Sequence, residues 1–211
     1  RLSLLRFPLI VGVVFIHSRL LATDFSNVKI AARSNYYLSD FIQHLISEGV
    51  ARTAVPLFFL MSGFLFFYGL EWSVENYWQK IKSRARSLLV PFLFWNIATL
   101  AVIGLAQTWS VTQGFFSGKN MSVAEFSGFD YADAILGISG RPISYQFWFI
   151  RDLMLLVLLS PIIYQLNKRI PLPFLLFLFS LWFFTWLEFA VPAPEAVLFY
   201  SLGCFLGYTR R

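Results

Sequence analysis

Apolar runs separated by short charged or polar stretches occupy most of the chain. Six can be marked, at about residues 2 to 18, 53 to 70, 88 to 106, 147 to 166, 171 to 190 and 194 to 208. A helix crosses a bilayer with roughly 20 apolar residues, and several of these runs approach that length. The pattern predicts an all-α, polytopic helical membrane protein with about six transmembrane helices present. Arg6 shortens the first run to Phe7 through Ile16, a length that also fits a signal-peptide core. No small-x-small cleavage site follows in HSRLLAT, and the other five runs require a membrane regardless. The sixth contains Glu195 and two glycines and is read as a short or tilted span.

Composition points the same way. Of 211 residues, 58% are apolar, 19% aromatic and 13% charged, against roughly 25% charged in a soluble domain. That much Phe, Leu and Trp exceeds the interior a chain of this length can form, so apolar surface must face lipid. The net charge of +6 comes from 17 Lys and Arg against 11 Asp and Glu. It would suggest a nucleic-acid partner only as solvated basic runs, and the cations sit between apolar segments instead. The single cysteine, Cys204, excludes an internal disulfide, and two histidines with one cysteine give no zinc-ligand spacing. No metal is expected. The chain opens with Arg1 and stops at Arg210 and Arg211 directly after an apolar run, so it is read as one integral-membrane domain over 1–211, truncated at its C-terminus.

Short cytoplasmic loops accumulate Lys and Arg, which gives an orientation. With the N-terminus inside, ten cations (Arg1, Arg6, Lys80, Lys82, Arg84, Arg86, Lys168, Arg169, Arg210 and Arg211) fall at short cytoplasmic flanks. The other seven (Arg19, Lys29, Arg33, Arg52, Lys119, Arg141 and Arg151) are spread over two long outer loops and their edges. Those loops, roughly 19 to 52 and 107 to 146, are rich in Ser, Asn, Gly, Asp and aromatics and suit a cover over an external site.

Three places could carry chemistry. Arg6 and His17 are eleven residues apart, which on a helix brings them within roughly 20° of one face and about 16 Å along the axis. Arg6 reads either as a snorkelling interfacial cation or as a functional one, and His17 either as a polar helix end or as a base able to take a proton near neutral pH. In YWQKIKSRARSLLVPF, Lys80, Lys82, Arg84 and Arg86 precede a span and suit phosphates, although positive-inside topology and anionic lipid account for such cations too. Lys82 and Arg86 share a face if this region is helical. Arg151 and Asp152 open a span, where charge is costly and turns toward protein or a watery cavity. As helix neighbours they point about 100° apart, so each is expected to meet a partner on another helix. In VPLFFLMSGFLFF, Ser62 and Gly63 read as close helix packing and Pro56 as a bend.

Together these pieces resemble the integral-membrane acyltransferase 3 family, bacterial enzymes that O-acylate sugars of envelope polysaccharides. LLRFPLIVGVVFIHS matches the family pattern of a basic residue, ten residues and a histidine in the first span. VPLFFLMSGFLFF, SRARSLLVPF and FWFIRDLMLLVLLSPII follow in the family's order. The resemblance implies about ten spans in the whole protein, His17 as catalytic histidine and Arg6 as its basic partner. It also implies an acyl-CoA donor, in the first instance acetyl-CoA, held by the stretch with Lys82, Arg84 and Arg86. The family commonly has two arginines separated by two residues there, whereas this chain reads KSRARS, so which cation meets the donor stays open.

His17 would deprotonate a hydroxyl of an extracytoplasmic sugar or polysaccharide, which attacks the thioester directly or after an acyl-histidine. Arg151 and Asp152 are substrate-binding candidates, Arg151 being an oxyanion donor by charge alone. The competing expectations are a transporter or flippase for a glycolipid or other anion, since buried Arg, Asp and His also line permeation paths, and a non-catalytic membrane component. The expected location is the bacterial cytoplasmic membrane, with the N-terminus cytoplasmic.

Overall fold

A computed structural model describes residues 3–18, 41–42, 45–69, 71, 73–116, 121–184 and 191–209. The described residues are helical with no strand. Among the described residues the longer α-helices are, in order, α1 (Ser3–Ser18), α2 (Ala54–Phe67), α3 (Val74–Arg84), α4 (Val90–Thr108), α5 (Gly128–Leu136), α6 (Trp148–Leu158), α7 (Ser160–Arg169), α8 (Pro171–Phe184) and α9 (Pro194–Thr209). A π-helical turn, Leu45–Val50, and a 3₁₀ turn, Ala51–Thr53, lead into α2. Most of the stretch read as the first outer loop, and Arg1, Lys119, Arg210 and Arg211 of the topology argument, lie outside the described residues.

The apolar runs reappear as α1, α2, α4, α8 and α9. The run 147 to 166 does not form one straight helix: α6 and α7 meet at Leu159 with a bend of 63°. Pro161, near the start of α7, supplies the cause, since it lacks an N–H and its ring crowds the preceding turn. Lys168 and Arg169, expected at a short flank between two runs, belong with Asn167 to the last turn of α7, where the two cations meet its negative C-terminal end. The basic stretch also differs from a loop. Residues Val74–Thr108 form a continuous 35-residue helix in which α3 and α4 are joined through a π-helical turn, Ala85–Leu89. This is the one described helix long and apolar enough to cross a membrane without a bend; Ala51–Phe67 and Pro171–Phe184 are shorter apolar helices.

Glycines set a close contact between α2 and α9. A Cβ on Gly63 would sit 2.2 Å from the Tyr200 carbonyl oxygen, and one on Gly203 2.1 Å from that of Leu60. Small residues let the two backbones touch, as the sequence anticipates at Ser62 and Gly63. Phe59, Phe66, Phe67, Leu156, Tyr200 and Cys204 form the core around this seam. Polar groups then bind α7 to α9. Ser160 Oγ and Tyr200 OH lie 2.9 Å apart, Asn167 Nδ2 donates to the Ser201 carbonyl at 3.3 Å, and Tyr208 OH donates to the Asn167 carbonyl at 3.0 Å. Outward from the core, α1, α4 and α8 expose large apolar side chains, among them Phe7, Ile10, Phe94, Trp95, Phe177 and Phe183.

Candidate active site

Arg6 and His17 both belong to α1, and their side chains lie outside the described residues. The backbone still locates them. Helix register places positions 6, 13 and 17 within about 40° of one another. Val13 packs against the small cluster of Leu9, Ala54 and Met61 that joins α1 to α2. The stripe carrying both positions therefore borders the α1–α2 contact.

The four cations of the basic stretch are sorted by the long helix. Lys80 is spent on structure: its Nζ donates to the Phe66 carbonyl and lies 5.2 Å from the Phe66 ring centroid, capping the end of α2. Lys82 and Arg86 are both exposed, while Arg84 is half-buried. Arg84 lines an apolar cavity of 590 Å³ with Leu89, Phe92, Leu155, Leu158 and, on another wall, Arg151. The cavity lies between the α3–α4 junction and α6, and Tyr77 OH ties these walls together by donating to the Leu158 carbonyl at 3.0 Å. π-helical turns recur at functional sites, and this one falls beside Arg84.

Arg151 and Asp152 correct an expectation, because they bond to each other. Arg151 Nε donates to Asp152 Oδ1 at 3.0 Å, and the second guanidinium nitrogen lies 2.9 Å from the same oxygen. Both residues are buried, and the long arginine side chain folds back across the helix to reach its neighbour. A charge pair in such a place persists only when the remaining polar atoms are also satisfied. They are. Arg151 Nη1 donates to the carbonyls of Gly137, at 2.5 Å, and Gly140, while Asp152 Oδ2 accepts from the backbone N–H of Ala193 at 2.8 Å. The pair thus fastens α6 to the turn after α5 and to the start of α9, which leaves little of the guanidinium for an oxyanion.

That turn has its own local causes. Ser127 and Asp130 form a reciprocal capping box at the start of α5, with Ser127 Oγ donating to Asp130 Oδ2 at 2.6 Å. Hydrogen bonds from the Ser127 side chain and backbone hold the Asp130 carboxyl below the usual carboxylate range. Gly137 ends the helix at φ 66°, and a Cβ there would lie 2.8 Å from Arg151 Nη1. Only glycine fits both demands.

Sequence reasoning passed over Asn96, fully buried in α4. It donates to the Phe92 carbonyl at 2.9 Å and accepts from the Ser144 N–H at 3.1 Å, fixing the loop before α6. A lone amide inside an apolar run was the available signal. Among the described residues, no group of three or more His, Cys, Asp or Glu is placed to hold a metal.

The chain is 30% identical over 172 residues to the succinoglycan biosynthesis protein ExoH of Rhizobium meliloti (strain 1021). The match covers 81% of this chain and 44% of that relative, so the chain spans about half the length of the curated relative it matches. No solved structure matches. The family model described as an acyltransferase domain, Acyl_transf_3, matches residues 1–211, and the chain belongs to the acyltransferase 3 family.

Proposed function

We propose that the protein is a membrane-embedded O-acyltransferase that moves an acyl group, in the first instance acetyl, from cytoplasmic acyl-CoA to a hydroxyl of an extracytoplasmic sugar or polysaccharide. The carrying observation is the apolar cavity with Arg84 and Arg151 on its walls. Its lining suits an acyl-pantetheine arm. Arg84 at the α3–α4 junction, with Lys82 and Arg86 on the exposed part of the same helix, supplies cations for the nucleotide phosphates. Family membership and the relative concerned with succinoglycan biosynthesis support a sugar acceptor.

His17 takes the proton of the acceptor hydroxyl as its oxygen attacks the thioester carbonyl. The C–S bond then breaks, and the imidazolium returns the proton to the departing thiolate. Arg6, on the same helix stripe, biases anionic donor groups toward α1. Bringing the donor thioester and the acceptor hydroxyl together at His17 would supply much of the acceleration. The exposed apolar faces of α1, α4 and α8 are assigned to lipid, with the N-terminus in the cytoplasm.

The test follows CoA release from acetyl-CoA by the intact protein in membrane vesicles, with and without an envelope-glycan extract. His17→Ala, at equal expression, is expected to abolish acceptor-dependent release. Arg84→Gln is expected to raise the donor KM by about tenfold, the worth of one charge-assisted phosphate contact. Release that survives in His17→Ala rejects the base, and an unchanged donor KM in Arg84→Gln rejects the cavity as donor site.

A further inference from the structure

A second cavity, of 620 Å³, opens at the other end of α4, among residues to which neither the family's motif residues nor the donor reading assigns a role. Its size falls in the range of roughly 300–1,000 Å³ typical of small-ligand sites. Gln107 of α4, Gln113, Phe116, Phe126, Asp133 and Arg141 stand around it. The walls are held by specific bonds. Gln107 Oε1 accepts from the Val123 N–H at 2.8 Å, Tyr131 OH donates to the Val123 carbonyl at 2.8 Å, and Asp133 Oδ1 accepts from the Ser139 N–H at 2.6 Å.

What those bonds leave unspent is the informative part. The Gln107 side-chain N–H groups, the Gln113 amide, Asp133 Oδ2 and the Arg141 guanidinium have no hydrogen-bond partner among the described residues. Donors, a carboxylate oxygen and the Phe116 and Phe126 side chains among the lining together match a sugar, whose hydroxyls both donate and accept and whose C–H faces lie against aromatic rings. Arg141, exposed and with no carboxylate partner among the described residues, adds recognition of an anion. We infer that this cavity binds an anionic saccharide, presenting the acceptor chain to the enzyme. The inference rests on the acyltransferase reading for the word acceptor, and on the cavity alone for the saccharide. The turn 137–140 stands between the two cavities: Gly137 lines the first, while Asp133 and Arg141, on either side of it, line the second.

The competing occupant is the bilayer interface, because Trp109 and Val111 are exposed at the same end. The experiment titrates the intact protein in nanodiscs, without acyl donor, with a glucuronosyl-glucose disaccharide and with the neutral glucosyl-glucose. The acidic sugar is expected to bind more tightly, and Arg141→Gln to weaken it by about tenfold. Gln113→Ala should weaken both sugars several-fold, and Trp109→Ala neither. Absence of binding by either sugar overturns the proposal, as does an Arg141→Gln affinity equal to wild type or an equal loss in Trp109→Ala. CoA release is then measured on the same nanodiscs. Sugar binding without release from any acyl-CoA rejects the acyltransferase reading and leaves this site standing. Release with an unchanged saccharide KM in Arg141→Gln rejects the site and leaves that reading standing.

Discussion

Arg151 is the side chain whose surroundings say most about its work. Its guanidinium holds one carboxylate and two carbonyls at once, a task suited to a planar fork and poorly to an ammonium. Arg151→Ala strands Asp152 as a buried charge, and removing one partner of such a pair costs about 3–5 kcal/mol. Chemical denaturation in detergent should therefore show Arg151→Ala less stable than the double variant Arg151→Met with Asp152→Leu. The opposite order would mean that the pair is not the fastening described. Sequence spacing could not foresee the pairing, since the 100° between neighbours describes where side chains leave the helix. A long arginine has enough reach to cancel that angle, and burial supplies the reason.

At the scale of elements, the seam between α2 and α9 depends on backbone contact. Gly203→Ala places a methyl carbon 2.1 Å from the Leu60 carbonyl, so α9 must shift. Overpacking of this kind costs about 1–3 kcal/mol. The same change at Gly114, where a Cβ meets nothing, should be nearly neutral, and thermal aggregation of the two variants compares them.

The cap of α5 carries a pH signature. Because Asp130 sits below its ordinary pKa in the folded state, its contribution is complete above the unfolded value near 3.9. It is lost as pH falls through the folded value. Carboxyl chemical shifts should therefore report Asp130 titrating below a free aspartate, and Ser127→Ala should return it toward the ordinary value. The start of α2 and the end of α1 were legible because the apolar runs there stop at Arg52 and Arg19, whereas the start of α4 was not, because one helix runs on through the basic stretch. The bend at Leu159 was not legible, because apolar residues continue on both sides of Pro161 and hide the break. The sorting of the cations was equally hidden, since a π-helical turn alters register without altering composition.

For the molecule as a whole, the proposed topology places Lys168 and Arg141 on opposite sides of the membrane. Both are exposed, and Cys204 is buried. Cysteines introduced singly at 141 and 168 should thus react with a membrane-impermeant maleimide in intact cells at 141 only. Labelling of 168 from outside would invert the orientation. The all-helical content could be read from the chain because its apolar runs are long and continuous, whereas the expected six spans are not matched, one described helix being long and apolar enough to cross a membrane unbent. The two cavities could not be read from it, because their walls join segments far apart in sequence through bonds such as Tyr77 to Leu158.

The 35-residue helix has a length of about 53 Å, whereas the hydrocarbon of a bilayer is about 30 Å thick. On the proposed topology α3 projects past the hydrocarbon while fastened to α2 and α6 through Lys80 and Tyr77, and Arg86 of the π-helical turn and Lys82 of α3 lie about 6 Å and about 12 Å along the axis from Val90. Those spacings are comparable to a Debye length of roughly 8 Å at physiological salt. On the proposed donor reading, acidic headgroups and acyl-CoA would compete for the same two cations. Donor affinity would then be a property of the surrounding leaflet as well as of the protein, falling as phosphatidylglycerol or cardiolipin replaces neutral lipid.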